Sequence, residues 1–141
     1  MSRFSRRAAA FALAVLSLFC AGARSGEEPE VKLGEPFELR AGEKVSVGGE
    51  LDLTFLGVPQ DSRCPKGEQC ITAGKARLRL QATPRGAEPV AFELETESSS
   101  ESGEMDIAGF RIILLNLSPF PVTGRPLLPG DYVARLSVGK N

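Results

Sequence analysis

Lys75-Ala76-Arg77-Leu78-Arg79-Leu80-Gln81-Ala82-Thr83-Pro84-Arg85-Gly86-Ala87-Glu88-Pro89-Val90-Ala91-Phe92-Glu93-Leu94-Glu95-Thr96-Glu97 alternates in polarity on both sides of a Pro- and Gly-bearing break. Ala76, Leu78, Leu80 and Ala82 share one parity, with Arg77, Arg79 and Gln81 on the other. Val90, Phe92 and Leu94 alternate in the same way with Ala91, Glu93 and Glu95. Successive strand side chains point to opposite faces, so each half reads as a strand with one buried face. Folding at Pro84 to Glu88 sets Leu78 opposite Leu94, Leu80 opposite Phe92 and Ala82 opposite Val90. The same register sets Arg79 against Glu93, Arg77 against Glu95 and Lys75 against Glu97. A slip by one residue would oppose arginines to leucine and phenylalanine and turn inner residues outward. An antiparallel hairpin in this register is expected, with its charges on a solvated sheet face.

The same period of two runs through the rest of the chain. Val45 and Val47 alternate with Lys44 and Ser46, and Leu51, Leu53 and Phe55 alternate with Asp52 and Thr54. Tyr132, Ala134, Leu136 and Val138 alternate with Val133, Arg135 and Ser137. Phe110 to Leu117 is nearly all apolar and reads as a strand buried on both faces, with Arg111 near its start. Ala41-Gly42, Gly48-Gly49, Pro84-Arg85-Gly86, Ser98 to Gly103 and Pro129-Gly130 supply the turns. No stretch after the N-terminal segment carries a capped helical stripe. The expected fold is all-β: an antiparallel β-sandwich, Ig-like or a small barrel, of about six to eight strands. It occupies residues 31–141 as a single domain, after a flexible, acidic leader at 24–30 that contains Pro29.

Residues 1–23 read as a cleaved secretory signal peptide. Arg3, Arg6 and Arg7 form a basic start, Ala8 to Phe19 is an uncharged apolar run, and Ala21-Gly22-Ala23 fits signal peptidase, with cleavage after Ala23. The apolar run is too short for a membrane span, which needs roughly 20 residues. No other stretch is long and apolar enough, so no transmembrane segment is expected in the mature chain. Phe19 stands where a lipoprotein signal carries a small residue, which speaks against lipid anchoring at Cys20. Ser5-Arg6-Arg7 is a weak twin-arginine feature, because Ala8, Ala9 and Ala10 follow it. The expected location is the periplasm or the extracellular space, reached by general secretion.

Of 141 residues, 118 follow residue 23, the length of one ordinary domain. Three of the 17 basic residues leave with the signal, so 14 face 18 acidic ones and the mature net charge is −4. An acidic surface with no basic block argues against nucleic acid or an anionic membrane as partner. There is no histidine, which removes the commonest general base and metal ligand together with Ser-His-Asp and Cys-His arrangements. Cys64 and Cys70 are too widely spaced for a two-residue redox motif and have no second ligand pair, so neither zinc nor an iron–sulfur cluster is expected. Glu101, Glu104 and Asp106 lack the spacing of a calcium loop. No catalytic residue, metal site or cofactor is expected, and the chain reads as non-enzymatic.

Asp61-Ser62-Arg63-Cys64-Pro65-Lys66-Gly67-Glu68-Gln69-Cys70 carries the chain's most specific local signal. With Cys20 removed, Cys64 and Cys70 are an even pair in an oxidising compartment, and a disulfide between them is expected. Two readings of the loop stand. As a recognition loop, Asp61, Arg63, Lys66 and Glu68 would make polar contacts with a partner, such as an envelope protein. As a rigid corner, Asp61 would accept N–H groups of its own turn and pair with Arg63, and the disulfide would keep a connection from fraying. A third reading, protease inhibition through an exposed Lys66, is hampered by the flanking Pro65 and Gly67. Tyr132 opens the last strand after Pro129-Gly130-Asp131 and is expected as a structural tyrosine corner, its hydroxyl bonded to nearby backbone.

Asp61 to Pro65, then four residues, Cys70, Ala73-Gly74 and the alternating run from Lys75 to Ala82 together resemble a family of small, secreted, largely uncharacterised bacterial proteins and lipoproteins. Pro119-Phe120-Pro121 and Tyr132 match later elements of that pattern. The resemblance implies an exported β-sandwich and brings no established activity. Many members carry an aromatic residue after the second cysteine; Thr72 stands there in this chain, so no stacking role carries over.

Overall fold

The structure, a computed structural model, describes residues 28–96 and 103–141. The signal segment with Cys20, residues 24–27, Glu97 and most of the Ser98–Gly103 turn, including Glu101, lie outside the described residues. Nine strands are described: β1 (Glu30–Val31), β2 (Phe37–Arg40), β3 (Lys44–Val47), β4 (Leu51–Asp61), β5 (Ala76–Pro84), β6 (Val90–Glu95), β7 (Glu104–Ile107), β8 (Phe110–Ser118) and β9 (Val133–Lys140). A single 3-10 turn at Pro129–Asp131 precedes β9. No helix among the described residues is long and apolar enough to cross a membrane.

The strands form two sheets, ordered β1-β3-β4-β5-β6 and β2-β9-β8-β7. Leu53, Phe55, Leu78 and Leu80 of the first sheet and Leu39, Ile112, Leu114 and Leu136 of the second belong to one buried cluster. This is the expected sandwich. Pairing is antiparallel except at β1, which runs parallel to β3 with Glu30 opposite Ser46. Glu30, assigned to the leader by its composition, is therefore part of the sheet. Lys44 anchors the segment through Glu28 at 3.0 Å.

The β5–β6 hairpin has the register that its charges require. Arg77 lies opposite Glu95, Arg79 opposite Glu93, Leu78 opposite Leu94 and Leu80 opposite Phe92. Leu78 and Leu80 are fully buried, while Arg77 and Arg79 pair with the two glutamates on the outer face. Lys75 binds Glu95, which it does not face across the strands. Val90 starts the inner row yet is exposed, because it lies at the end of an edge strand. Gly48 and Gly49 both take positive φ, 56° and 63°, which lets the β3–β4 hairpin close tightly.

Two expectations change. Phe110 to Leu117 is not buried on both faces: Phe110, Ile112, Leu114 and Leu117 point inward, while Arg111, Leu115 and Asn116 are exposed. A two-layer sandwich covers only one face of each sheet, so the outer residues meet water. The second change is in strand number: β1, β2 and β7 are short and exceed the runs that alternation marks. Asp106 of β7 is committed to Arg111 at 2.9 Å.

β-Bulges then position the disulfide-loop end. Extending the Leu51–Phe55 register would put Asp61 opposite Gly74, beyond the end of β5. Two register shifts in β4, between Phe55 and Gly57 and between Gly57 and Gln60, bring Asp61 opposite the buried Ala76 instead. A third shift, between Leu114 and Asn116 in β8, lets both Leu114 and Leu117 face inward. Each bulge inserts one residue and bends its strand. Asp61 and Leu117 thereby meet at the same end of the two sheets.

Candidate functional site

Asp61 and Arg63 form the centre of that end. The Arg63 side chain is 3% exposed and that of Asp61 10%. Arg63 Nε donates to Asp61 Oδ1 at 2.9 Å and Nη2 donates to Oδ2 at 2.7 Å, a two-pronged pair that matches the flat guanidinium. The Arg63 backbone N–H also donates to Asp61 Oδ1 at 3.2 Å. Arg63 Nη1 then reaches the other sheet, donating to the Leu117 carbonyl at 2.8 Å, and Nη2 donates to the Pro119 carbonyl at 3.0 Å. The Phe120 ring covers the guanidinium, 4.9 Å from centroid to carbon. A buried ion pair persists only when its remaining hydrogen-bonding groups are satisfied, and these contacts do so.

Tyr132 is buried against the same carboxylate. Its hydroxyl donates to Asp61 Oδ2 at 3.2 Å. The expected corner is thus corrected: the partner is a side chain 71 residues away, not neighbouring backbone. The cause is the inward turn of Asp61, which puts an ionised acceptor in reach. Burial first, then the Asp61 charge, pushes the Tyr132 hydroxyl above its ordinary range, so it stays a donor. Burial alone would raise the Asp61 carboxyl, but hydrogen bonds from Arg63, its charge and the Tyr132 hydroxyl outweigh it and hold the group below its ordinary value. Tyr132→Phe removes one hydrogen bond to a charged acceptor and is expected to cost about 1.5 kcal/mol in urea unfolding, with the fold retained.

The loop beyond Arg63 is closed by the Cys64–Cys70 disulfide, with Cα atoms 5.9 Å apart. Its base is stitched by Ser62 N–H to Lys75 O at 2.8 Å and Cys64 N–H to Ala73 O at 2.8 Å. Its tip packs on the segment after β8. Lys66 N–H donates to Pro121 O at 2.9 Å, Thr123 N–H donates to Lys66 O at 3.3 Å, and Thr123 Oγ1 donates to Glu68 Oε1 at 3.0 Å. The Lys66 ammonium lies 5.7 Å from the Phe120 ring centroid. On the loop-entropy estimate, replacing both cysteines by alanine should cost about 2–2.5 kcal/mol. The cross-loop bonds remain, so circular dichroism of that variant should still report the sandwich.

Of the four residues singled out for recognition, Asp61 and Arg63 bind each other in the interior, while Lys66 and Glu68 are exposed. Ile71 is fully exposed at the loop's far side. The residues that sequence reasoning missed lie at 119–128. Phe120 covers Arg63, Thr123 holds Glu68, and Arg125 lines two adjoining clefts of about 490 and 300 Å³. Pro119, Pro121, Pro126 and Pro129 in one short segment were the available signal. Such density suits an ordered irregular stretch, with φ fixed at each proline.

Fold and site together define an all-β two-sheet sandwich whose disulfide loop is joined to the opposite sheet through one buried arginine. Comparison of the chain with protein-family models, with curated proteins and with solved structures gives no match.

Proposed function

We propose that this chain is an exported, non-enzymatic binding module of the bacterial cell envelope that presents its disulfide-loop end to a partner. The carrying observation is the Arg63 network. It ties the disulfide loop to the Pro119–Phe120 segment, so the surface above it is rigid before any partner arrives. A preorganised loop loses little entropy on binding. A disulfide persists in oxidising compartments, which supports export. Asp61, the buried carboxylate at this end, is held ionised by Arg63 and is a poor proton carrier near neutrality, which supports a role without catalysis.

Protease inhibition through Lys66 has less in its favour. An inhibitory residue gives its backbone N–H and carbonyl to the protease in an extended, strand-like pairing. Lys66 spends both on Pro121 and Thr123. Micromolar protein is expected to leave trypsin-like activity unchanged.

The binding role is tested by photocrosslinking in a bacterial host. A photoreactive residue replaces Lys66 in one strain and Arg85, in the turn at the other end of β5, in a second. A discrete protein adduct from position 66 and none from position 85 is expected. The same adducts from both positions, or none from position 66, would make this end a structural corner only.

A further inference from the structure

The clefts beside the disulfide loop carry an uneven distribution of hydrogen-bonding capacity. Each carboxylate there already accepts a hydrogen bond from the protein itself, and Asp61 is ion-paired as well. Asp61 accepts from Arg63 and Tyr132, Glu68 accepts from Thr123, and Asp131 Oδ2 accepts from Leu128 N–H at 2.8 Å. Among the described residues, Lys32, Arg40, Lys66, Arg85, Arg125 and Arg135 form no ion pair, and of these Arg125 lines both clefts while Lys66 lies over Phe120 beside them. Arg125 is exposed. The smaller cleft is walled by Phe120, Pro126, Leu127 and Leu128, of which Leu128 is 63% exposed.

We infer that this end binds an acidic peptide segment, with a carboxylate on Arg125 and a neighbouring apolar side chain in the Phe120–Leu128 cleft. The inference deepens the proposed binding role and rests on it. A guanidinium presents paired donors that match a carboxylate. An apolar cleft of about 300 Å³ suits one or two side chains. Other anions fit less well. Two cations at this end, on a chain of formal net charge −1, give weak attraction to a nucleic acid or an anionic bilayer, where each basic residue adds only about 1 kcal/mol. A sugar site would want an exposed aromatic platform; the chain has no Trp, Tyr132 is buried, and the Phe120 ring in the cleft wall is half-buried with the Arg63 guanidinium and the Lys66 ammonium against it. Lys66, held over Phe120, adds a second positive charge near the same cleft and favours segments with more than one carboxylate.

The test uses the mature chain and two immobilised peptide libraries. One alternates Glu or Asp with randomised apolar residues; the other carries Gln or Asn at the same positions. Enrichment from the acidic library alone is expected, weakening as salt is raised. Arg125→Glu should lower the affinity of selected peptides by about tenfold or more, and Arg85→Glu should leave it unchanged. Arg125 makes no side-chain hydrogen bond among the described residues, and thermal unfolding checks that its variant folds. Equal enrichment from both libraries, no enrichment from either, or retention by Arg125→Glu overturns the inference. The two readings fail separately. A position-66 adduct that survives Arg125→Glu would leave the binding role standing and remove the acidic segment. A lipid adduct at that position would replace the peptide by a membrane component.

Discussion

Arg63→Met is expected to destabilise the domain by about 3–5 kcal/mol, the usual cost of removing one partner from a buried ion pair. Methionine fills a similar volume without the charge, so the loss is electrostatic and not a cavity effect. Asp61 would keep only the Tyr132 hydroxyl and the backbone N–H of position 63, and the Leu117 and Pro119 carbonyls would lose their donors. Urea unfolding measures the change. A loss below about 1 kcal/mol would mean that water screens the pair as it does a surface salt bridge. Removing both charges, in Arg63→Met with Asp61→Leu, should recover part of the loss, because a pair replaced by apolar residues is often neutral.

The pH dependence of this variant has a definite sign. In the wild type, Asp61 titrates below its ordinary 3.8. Its contribution is present above that value and is lost as pH falls through the lower folded one. In Arg63→Met the burial that raises the carboxyl, the largest of its influences, remains. The guanidinium's hydrogen bonds and charge are gone, and only the position-63 backbone N–H and the Tyr132 hydroxyl still lower it. Asp61 should then titrate above its ordinary value, and the variant should lose stability as pH rises through the raised one. The gap between wild type and variant is expected to be wide at pH 7, to begin narrowing as pH falls through the variant's raised value, and to go on narrowing as the wild type loses its own contribution below 3.8. A gap that is constant with pH would show that Asp61 is not the group left uncompensated.

Gly74→Ala is the second large effect. Gly74 has φ +66°, where a residue with a Cβ is strained, and a Cβ built there would lie 1.7 Å from the Ser62 carbonyl oxygen. That oxygen is backbone and cannot swing away. The pairs beside it, Ser62 with Lys75 and Cys64 with Ala73, would have to part, and Arg63 would move with them. Left-handed strain of about 1–2 kcal/mol and overpacking of about 1–3 kcal/mol together give a loss of about 3 kcal/mol or more. Gly42→Ala separates the two contributions. Gly42 has φ +91° but nothing within 4 Å of a Cβ, so only the strain should appear there. Equal losses at the two positions would mean that the loop base relaxes freely.

The hairpin from Ala76 to Glu95 was legible because its charges and its apolar residues demand the same register. The apolar parity excludes a slip by one residue, and the Arg77–Glu95 and Arg79–Glu93 pairs disfavour a slip by two. The Asp61–Arg63 pair and the disulfide were legible because their partners are two and six positions apart. Phe110 to Leu117 was misread because an apolar run does not say how many layers will cover it. Short β1, β2 and β7 offered too few residues for alternation to stand out. The partner of Tyr132 was misread because it lies outside any local window.

From the sequence alone came the all-β sandwich class, the closed loop at Cys64 and Cys70, and the expectations of a single domain and of export. These depend on side-chain parity and on spacings of a few residues, which the chain states directly. Tertiary structure decided that Asp61 and Arg63 face inward, that Leu117, Pro119, Phe120 and Tyr132 converge on them, and that Arg125 lies beside a cleft with no ion-pair partner among the described residues. Those partners lie 54 to 71 residues from the pair. Three single-residue bulges aim them. Where a bulge falls depends on how two sheets pack, and no local pattern in the chain records that.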